Sequence, residues 1–228
     1  MKEIDEIERY LADEWVGSKG WINKDIPKLI ESIRNELKKP LIRRYWEMPN
    51  SETFRIKAFR DLIFRYSLSK QPKTIIDPFA NAHSIKEHLK HCIYISNDLD
   101  PKYNCDFSLE ANEFLGGIED CSVDVVLYDP PYSPRQVKEV YTSLNKTVTI
   151  QDTQSSYWTA FKKEIARVLK PGGICISFGW NTNGIGMNNN FEIIEIVIVA
   201  HGGSKNDTLA TVEKKSHHQE KLDLSEVK

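Results

Sequence analysis

The densest concentration of chemistry in this chain is Asp129-Pro130-Pro131-Tyr132, set directly after the apolar run Val123-Asp124-Val125-Val126-Leu127-Tyr128. The run reads as a buried strand of a parallel sheet, and two prolines forbid the ladder from continuing. The turn therefore offers one carboxylate, one aromatic ring and several free carbonyls at the carboxyl end of a sheet, where ligands of open α/β folds bind. Two further carboxylates stand at comparable places, Asp77 after Thr74-Ile75-Ile76 and Asp98 after Cys92-Ile93-Tyr94-Ile95-Ser96. Other reactive groups point less sharply. Cys92, Cys105, Cys121 and Cys175 show no paired spacing and read as reduced thiols. His83, His88 and His91 near Cys92 match neither a zinc finger nor a His-Glu-x-x-His helix, so no metal site is expected.

These groups need elements that bring them together. From Lys73 onward, strands alternate with helices: strands at 74–79 and 92–96 flank a helix at 84–90, and a short helix at 111–115 leads into the strand 123–128. A right-handed crossover opens the carboxyl ends of such strands on one side. An amphipathic helix at 157–169 carries Trp158, Phe161, Ile165 and Val168 on one side and ends at Pro171-Gly172-Gly173. Strands at 174–178, 191–199 and 208–212 follow, the last two forming an antiparallel hairpin. The polar segment 133–156 reads as a mobile loop over a site. Residues 1–70 read as a helical extension, with the basic and aromatic stretch Arg43-Arg44-Tyr45-Trp46 as a helix surface or a nucleic-acid contact. Residues 71–214 form the α/β domain, and 215–228 a polar tail.

With 228 residues, 40% hydrophobic and 28% charged, the composition is that of a globular chain with a full core, and no apolar run is long enough to span a bilayer. The 31 basic against 33 acidic residues argue for no large basic face, although a local patch suffices for nucleic acid. The amino-terminal Met1-Lys2-Glu3-Ile4-Asp5 lacks an apolar signal core, so a cytoplasmic location is expected.

Four motifs in order, Asp77-Pro78-Phe79-Ala80, Asn97-Asp98-Leu99-Asp100-Pro101, Asp129-Pro130-Pro131-Tyr132 and Leu169-Lys170-Pro171-Gly172-Gly173, resemble the S-adenosylmethionine-dependent amino-methyltransferases. The likeness is greatest to DNA adenine N6-methyltransferases with an Asp-Pro-Pro-Tyr motif, especially small ones of phage or prophage type, and runs from about residue 48 to 212. It implies a Rossmann-like class I methyltransferase fold, a seven-stranded, mostly parallel sheet with an antiparallel terminal hairpin. It also implies S-adenosylmethionine as cofactor, with Asp77, Pro78, Phe79 and Ala80 at its methionine part. Asp98, followed by Leu99, would hold the ribose, with Asp100 as the alternative. Glu110 and Ala111 would lie near the adenine, with Asp106 as the alternative acid. Asn50-Ser51-Glu52-Thr53-Phe54-Arg55-Ile56-Lys57 resembles the motif packed against the cofactor carboxylate, with Thr53 and Phe54 as its contacts. Relatives usually continue the first motif with Gly-x-Gly, where this chain has Ala80-Asn81-Ala82-His83-Ser84.

Within this resemblance the catalytic residues are Asp129, Pro130, Pro131 and Tyr132. An exocyclic amine on an aromatic base is a poor nucleophile because its lone pair is delocalised. Hydrogen bonds to the Asp129 carboxylate and the Pro130 carbonyl favour a tetrahedral nitrogen, and prolines hold those acceptors in advance. Tyr132 would stack on the base, and the loop after it, with Trp180, would close over the site. The expected partner is DNA, with RNA adenine and cytosine N4 as open alternatives and a homodimer as one arrangement. A non-catalytic nucleic-acid-binding module is the competing class. No segment between the first motif and Asp129 is long enough for a separate recognition domain, so recognition falls to residues 1–70, the loop 133–156 or a dimer partner.

Overall fold

The computed structural model describes residues 39–216 apart from 83, 148, 150–154 and 204. The chain divides into two compact units, Met1–Pro40 and Leu41–Lys228. The helices expected before residue 38, most of the polar tail and His83 lie outside the described residues. No helix among the described residues is long and apolar enough to cross a membrane.

The second unit is built on one seven-stranded sheet. In chain order its elements are β1 (Leu41–Trp46), α1 (Lys57–Ser67), β2 (Thr74–Asp77), β3 (Ile93–Ser96), α2 (Ala111–Gly116), β4 (Val123–Tyr128), α3 (Pro134–Ser143), α4 (Ser155–Val168), β5 (Leu169–Gly179), β6 (Phe191–Ala200) and β7 (Thr208–Lys215). The strand order is β1-β6-β7-β5-β4-β2-β3. β7 runs antiparallel to both β5 and β6, and the other pairings are parallel. This is the Rossmann-like methyltransferase fold with its antiparallel terminal hairpin.

Strand β4 lies inside the sheet because Val123, Val125, Val126, Leu127 and Tyr128 are all buried, leaving no polar face for solvent. One face of the sheet is covered by α1, whose Ala58, Phe59, Leu62 and Ile63 recur at helical spacing and join Phe178, Val197 and Val212 in one core. The other face is covered by α2 and α4, through Phe114, Leu115, Phe161, Ile165 and Val168. The chain leaves β2 toward β3 on one side and returns to β4 on the other. Asp77 and Asp129 thus sit at a topological switch point, the place where such sheets open a crevice.

Two expectations change. Arg43-Arg44-Tyr45-Trp46 is no helix surface: it lies in β1, an edge strand in parallel register with Glu195–Ala200 of β6. Glu195 is 2% exposed and accepts from Arg43 Nε at 2.9 Å and from the Tyr66 hydroxyl at 2.8 Å, so a buried carboxylate draws Arg43 to the sheet. The helical extension expected through residue 70 accordingly gives up residues 41–70 to the sheet unit. The loop expected at 133–156 begins instead with α3. Ser133 caps it by accepting from Gln136 N–H, Pro134 fills its first turn, and Val137 and Tyr141 bury one stripe.

Candidate functional site

A cavity of about 590 Å³ opens at the carboxyl ends of the parallel strands. All four residues of the Asp-Pro-Pro-Tyr turn line it, together with Thr53, Pro78, Phe79, Asp98, Leu99, Glu110 and Ala111. Three expected contacts lie elsewhere. Phe54 is buried in the core with its ring 5.1 Å from that of Phe178. Ala80 is buried and lines a small side recess, its N–H donating to the Asn97 carbonyl at 2.9 Å. Asp77 is fully buried and accepts from the Tyr94 hydroxyl at 2.8 Å and Phe79 N–H at 3.3 Å. Its carboxyl therefore shapes the Pro78-Phe79 turn. Burial first, then the nearby Asp129 charge, push Asp77 up to about 8, against the hydrogen bond from Tyr94.

Asp98 stands where β3 ends. Its two oxygens accept the N–H groups of Asn81 and Asp100, each at 2.9 Å, and burial raises its pKa. The Asn81 contact fastens the loop after β2 to the acid after β3. Asn81 has φ +46°, a left-handed conformation that asparagine adopts more readily than other non-glycine residues. The loop that lacks Gly-x-Gly thus makes its tight turn with asparagine, and Asn81 lines the cavity. Asn97 braces the same floor: its Nδ2 donates to the carbonyls of Pro78 and Leu109, both at 3.1 Å. Of the alternative acids, Asp100 lines the cavity and pairs with Lys102, whereas Asp106 accepts from Ser96 and lies outside it.

Glu110 precedes α2 but makes no side-chain cap there. Its carboxylate accepts from the Tyr141 hydroxyl at 2.9 Å and Lys146 Nζ at 3.1 Å, which ties α3 and the residues after it to this end of the cavity.

At the other wall, the Asp-Pro-Pro-Tyr turn is held from several directions. Tyr132 N–H donates to Gln136 Oε1 at 2.6 Å, and Trp158 Nε1 donates to the Pro131 carbonyl at 3.0 Å. The Pro130 carbonyl accepts no hydrogen bond among the described residues, whereas that of Pro131 does. The Tyr132 hydroxyl donates to Asp129 Oδ1 at 2.5 Å, with the Thr53 hydroxyl 3.5 Å from the tyrosine oxygen. Burial pushes Asp129 up to about 6, opposed by those hydrogen bonds. Trp180 is 44% exposed and packs edge-on against Tyr132 with ring centroids 5.5 Å apart.

Residues the sequence reading did not single out do much of this holding: Asn81, Gln136, Tyr141 and the indole of Trp158. Asparagine in place of glycine at a tight turn and a Ser-Pro helix start were the available signals for two of them.

No family model matches the chain, and no curated protein matches it in sequence. Solved structures do resemble it. The N-methyltransferase NodS from Bradyrhizobium japonicum superposes with TM-score 0.51 and 12% identity over 74% of this chain and 99% of that one. The protein yhhF from Escherichia coli gives 0.50 and 10%, over 76% and 92%. TrmN from Thermus thermophilus gives 0.48 and 17%, over 68% of this chain and 48% of its own, so the chain spans about half of that protein. At these identities the likeness is one of fold.

Proposed function

We propose that this protein transfers a methyl group from S-adenosylmethionine to the exocyclic N6 amine of adenine in DNA. The observation that carries the reading is the shared cavity. Asp129 and Pro130 line the same space as Asp98, Leu99 and Glu110. The donor set suits the cofactor. Asp98, Asp100, Glu110 and Asp129 all line the cavity, and the lysines nearest the acids, Lys102 and Lys146, are paired to Asp100 and Glu110. The positive charges of a ligand bearing a sulfonium and an ammonium would favour the ionised carboxylates and counter the burial that raises Asp98 and Asp129.

Bound there, S-adenosylmethionine supplies a methyl group on a positively charged sulfur. The remaining work belongs to the chain. Asp98 keeps lone pairs for ribose hydroxyls beyond those used by Asn81 and Asp100 N–H, as an acid at this strand end does in dinucleotide folds. Leu99, Glu110 and Ala111 line the same cavity, where Leu99 and Ala111 would flank the adenine and Glu110 would meet its edge. Asp129 and Pro130 accept the two amine hydrogens of the target base and turn its lone pair out of the ring. As the amine nitrogen bonds to the methyl carbon, the carbon–sulfur bond would break and S-adenosylhomocysteine would leave; Asp129 then takes the proton that the nitrogen sheds and returns it to water. Tyr132 and Trp180 offer ring faces for the base, a contact worth about 1–3 kcal/mol. A base in a duplex reaches the cavity only after flipping, which costs a few kcal/mol.

The test is incubation of the full chain with methyl-labelled S-adenosylmethionine and unmethylated DNA, with RNA in parallel, then digestion to nucleosides. N6-methyldeoxyadenosine is the expected product. Label found in N4-methyldeoxycytidine, in RNA alone, or in no nucleoside despite cofactor binding would overturn the reading.

A further inference from the structure

The acidic half of the cavity has a counterpart of different character at its outer end. Two segments build that end: the residues after β1, including Pro49 and Asn50, and the β6–β7 turn, including Lys205 and Asn206. His201 locks them together. It is 7% exposed, donates from Nδ1 to the Glu47 carbonyl at 2.7 Å and accepts at Nε2 from the Thr208 hydroxyl at 2.8 Å. The turn it anchors follows Gly202 and Gly203, both at positive φ, and a Cβ on Gly202 would stand 3.4 Å from Trp46 Nε1. The indole of Trp46 therefore lies over the root of this turn while remaining 66% exposed. Arg44 lies two residues before Trp46 on the edge strand, so both side chains leave the same face, about 7 Å apart along the strand. Neither Arg44 nor Lys205 forms a salt bridge among the described residues, unlike Arg43 and Arg65, which pair with Glu195. An exposed indole at the root of this turn, with Arg44 on its own strand and Lys205 on the turn, neither in a salt bridge among the described residues, has the chemistry of a site for a base and its phosphates.

We infer that the ledge formed by Trp46, Arg44 and the β6–β7 turn binds the DNA strand next to the target adenine, Trp46 stacking on a neighbouring base and Lys205 and Arg44 meeting its phosphates. This rests on the proposed function, and it gives the chain a recognition surface within the sheet unit. His201 is a positioning residue here, since it fixes the turn that carries Lys205.

The test is a fluorescence anisotropy titration of the full chain, saturated with S-adenosylhomocysteine, against a short labelled single-stranded oligodeoxynucleotide containing one adenine. Trp46→Ala weakens binding by roughly 5- to 150-fold. Lys205→Ala and Arg44→Ala each reduce the slope of log affinity against log salt by about 0.7, measured between about 50 and 200 mM. All three variants keep the wild-type affinity for S-adenosylhomocysteine, which shows that the fold is intact. Wild-type oligonucleotide affinity and salt slope in the variants would overturn the inference while leaving the proposed function standing. So would a loss in Trp46→Ala that sedimentation traces to a changed oligomeric state. A wild-type chain that binds the cofactor product but no oligonucleotide would remove the proposed function and this inference together.

Discussion

Replacing Tyr132 by phenylalanine removes one hydroxyl from the site and keeps the ring. In the proposed reaction Asp129 must be ionised to accept the amine. Burial pushes it up to about 6, so kcat/KM of the wild type should fall about tenfold per pH unit below that value and level off above it. The groups bearing on Asp129 are the Tyr132 hydroxyl at 2.5 Å, the Thr53 hydroxyl and the Asp77 carboxyl. Asp77, raised to about 8, is mostly protonated across the wild-type limb and adds little charge there. The tyrosine donates to the charged form and therefore holds the Asp129 pKa down. A hydrogen bond to a charged group contributes about 1.5–3 kcal/mol, and one pH unit corresponds to about 1.4 kcal/mol. The acid limb of the Tyr132→Phe variant should thus move up by about one to two pH units, with little difference from wild type at high pH, where Asp129 is ionised in both. The assay is kcat/KM for DNA methylation across the acid limb with labelled S-adenosylmethionine. An acid limb that stays in place, or moves down, would refute the role assigned to this contact.

Other consequences are open to measurement. Because Asp77 binds its proton more tightly folded than unfolded, stability present at acid pH should be lost as pH rises to about 8, at about 1.4 kcal/mol per pH unit at most; Asp77→Asn should flatten that slope in denaturant unfolding. At Asn81, glycine should leave stability within a few tenths of a kcal/mol, whereas alanine should lower it by about 1–2 kcal/mol because φ is +46°. Ser133→Ala removes the cap of α3 and should cost about 1 kcal/mol in the same unfolding experiment.

What could be read from the sequence was what depended on neighbours along the chain. Five of the six residues of β4 are buried, and the apolar run announced them; the long apolar run of 191–199 followed by 208–212 announced the hairpin. The periodic apolar residues of α4 placed that helix within about a turn. Strand β1 was hidden because its decisive partner, Glu195, lies 152 residues from Arg43. Helix α3 was hidden by its polar exposed side, although Ser133-Pro134 and the four-residue spacing of Val137 and Tyr141 carried the signal. Pro171-Gly172-Gly173 reads as a break before a strand, yet β5 already begins at Leu169, where its pairing with β4 shifts register. In the site, the strand-end positions of Asp98 and Asp129 follow from local pattern. Asp77 shares that pattern but is sealed by Tyr94 from the neighbouring strand, a contact that no local signal encodes.

The proposed reaction depends on Asp129 as the group that would receive the target amine, in a cavity whose other wall would hold the cofactor. Its most direct test is methyl incorporation into DNA by Asp129→Ala, beside that variant's affinity for S-adenosylhomocysteine. We expect cofactor-product affinity close to wild type and no N6-methyldeoxyadenosine. Transfer to adenine at the wild-type rate in this variant would contradict the account.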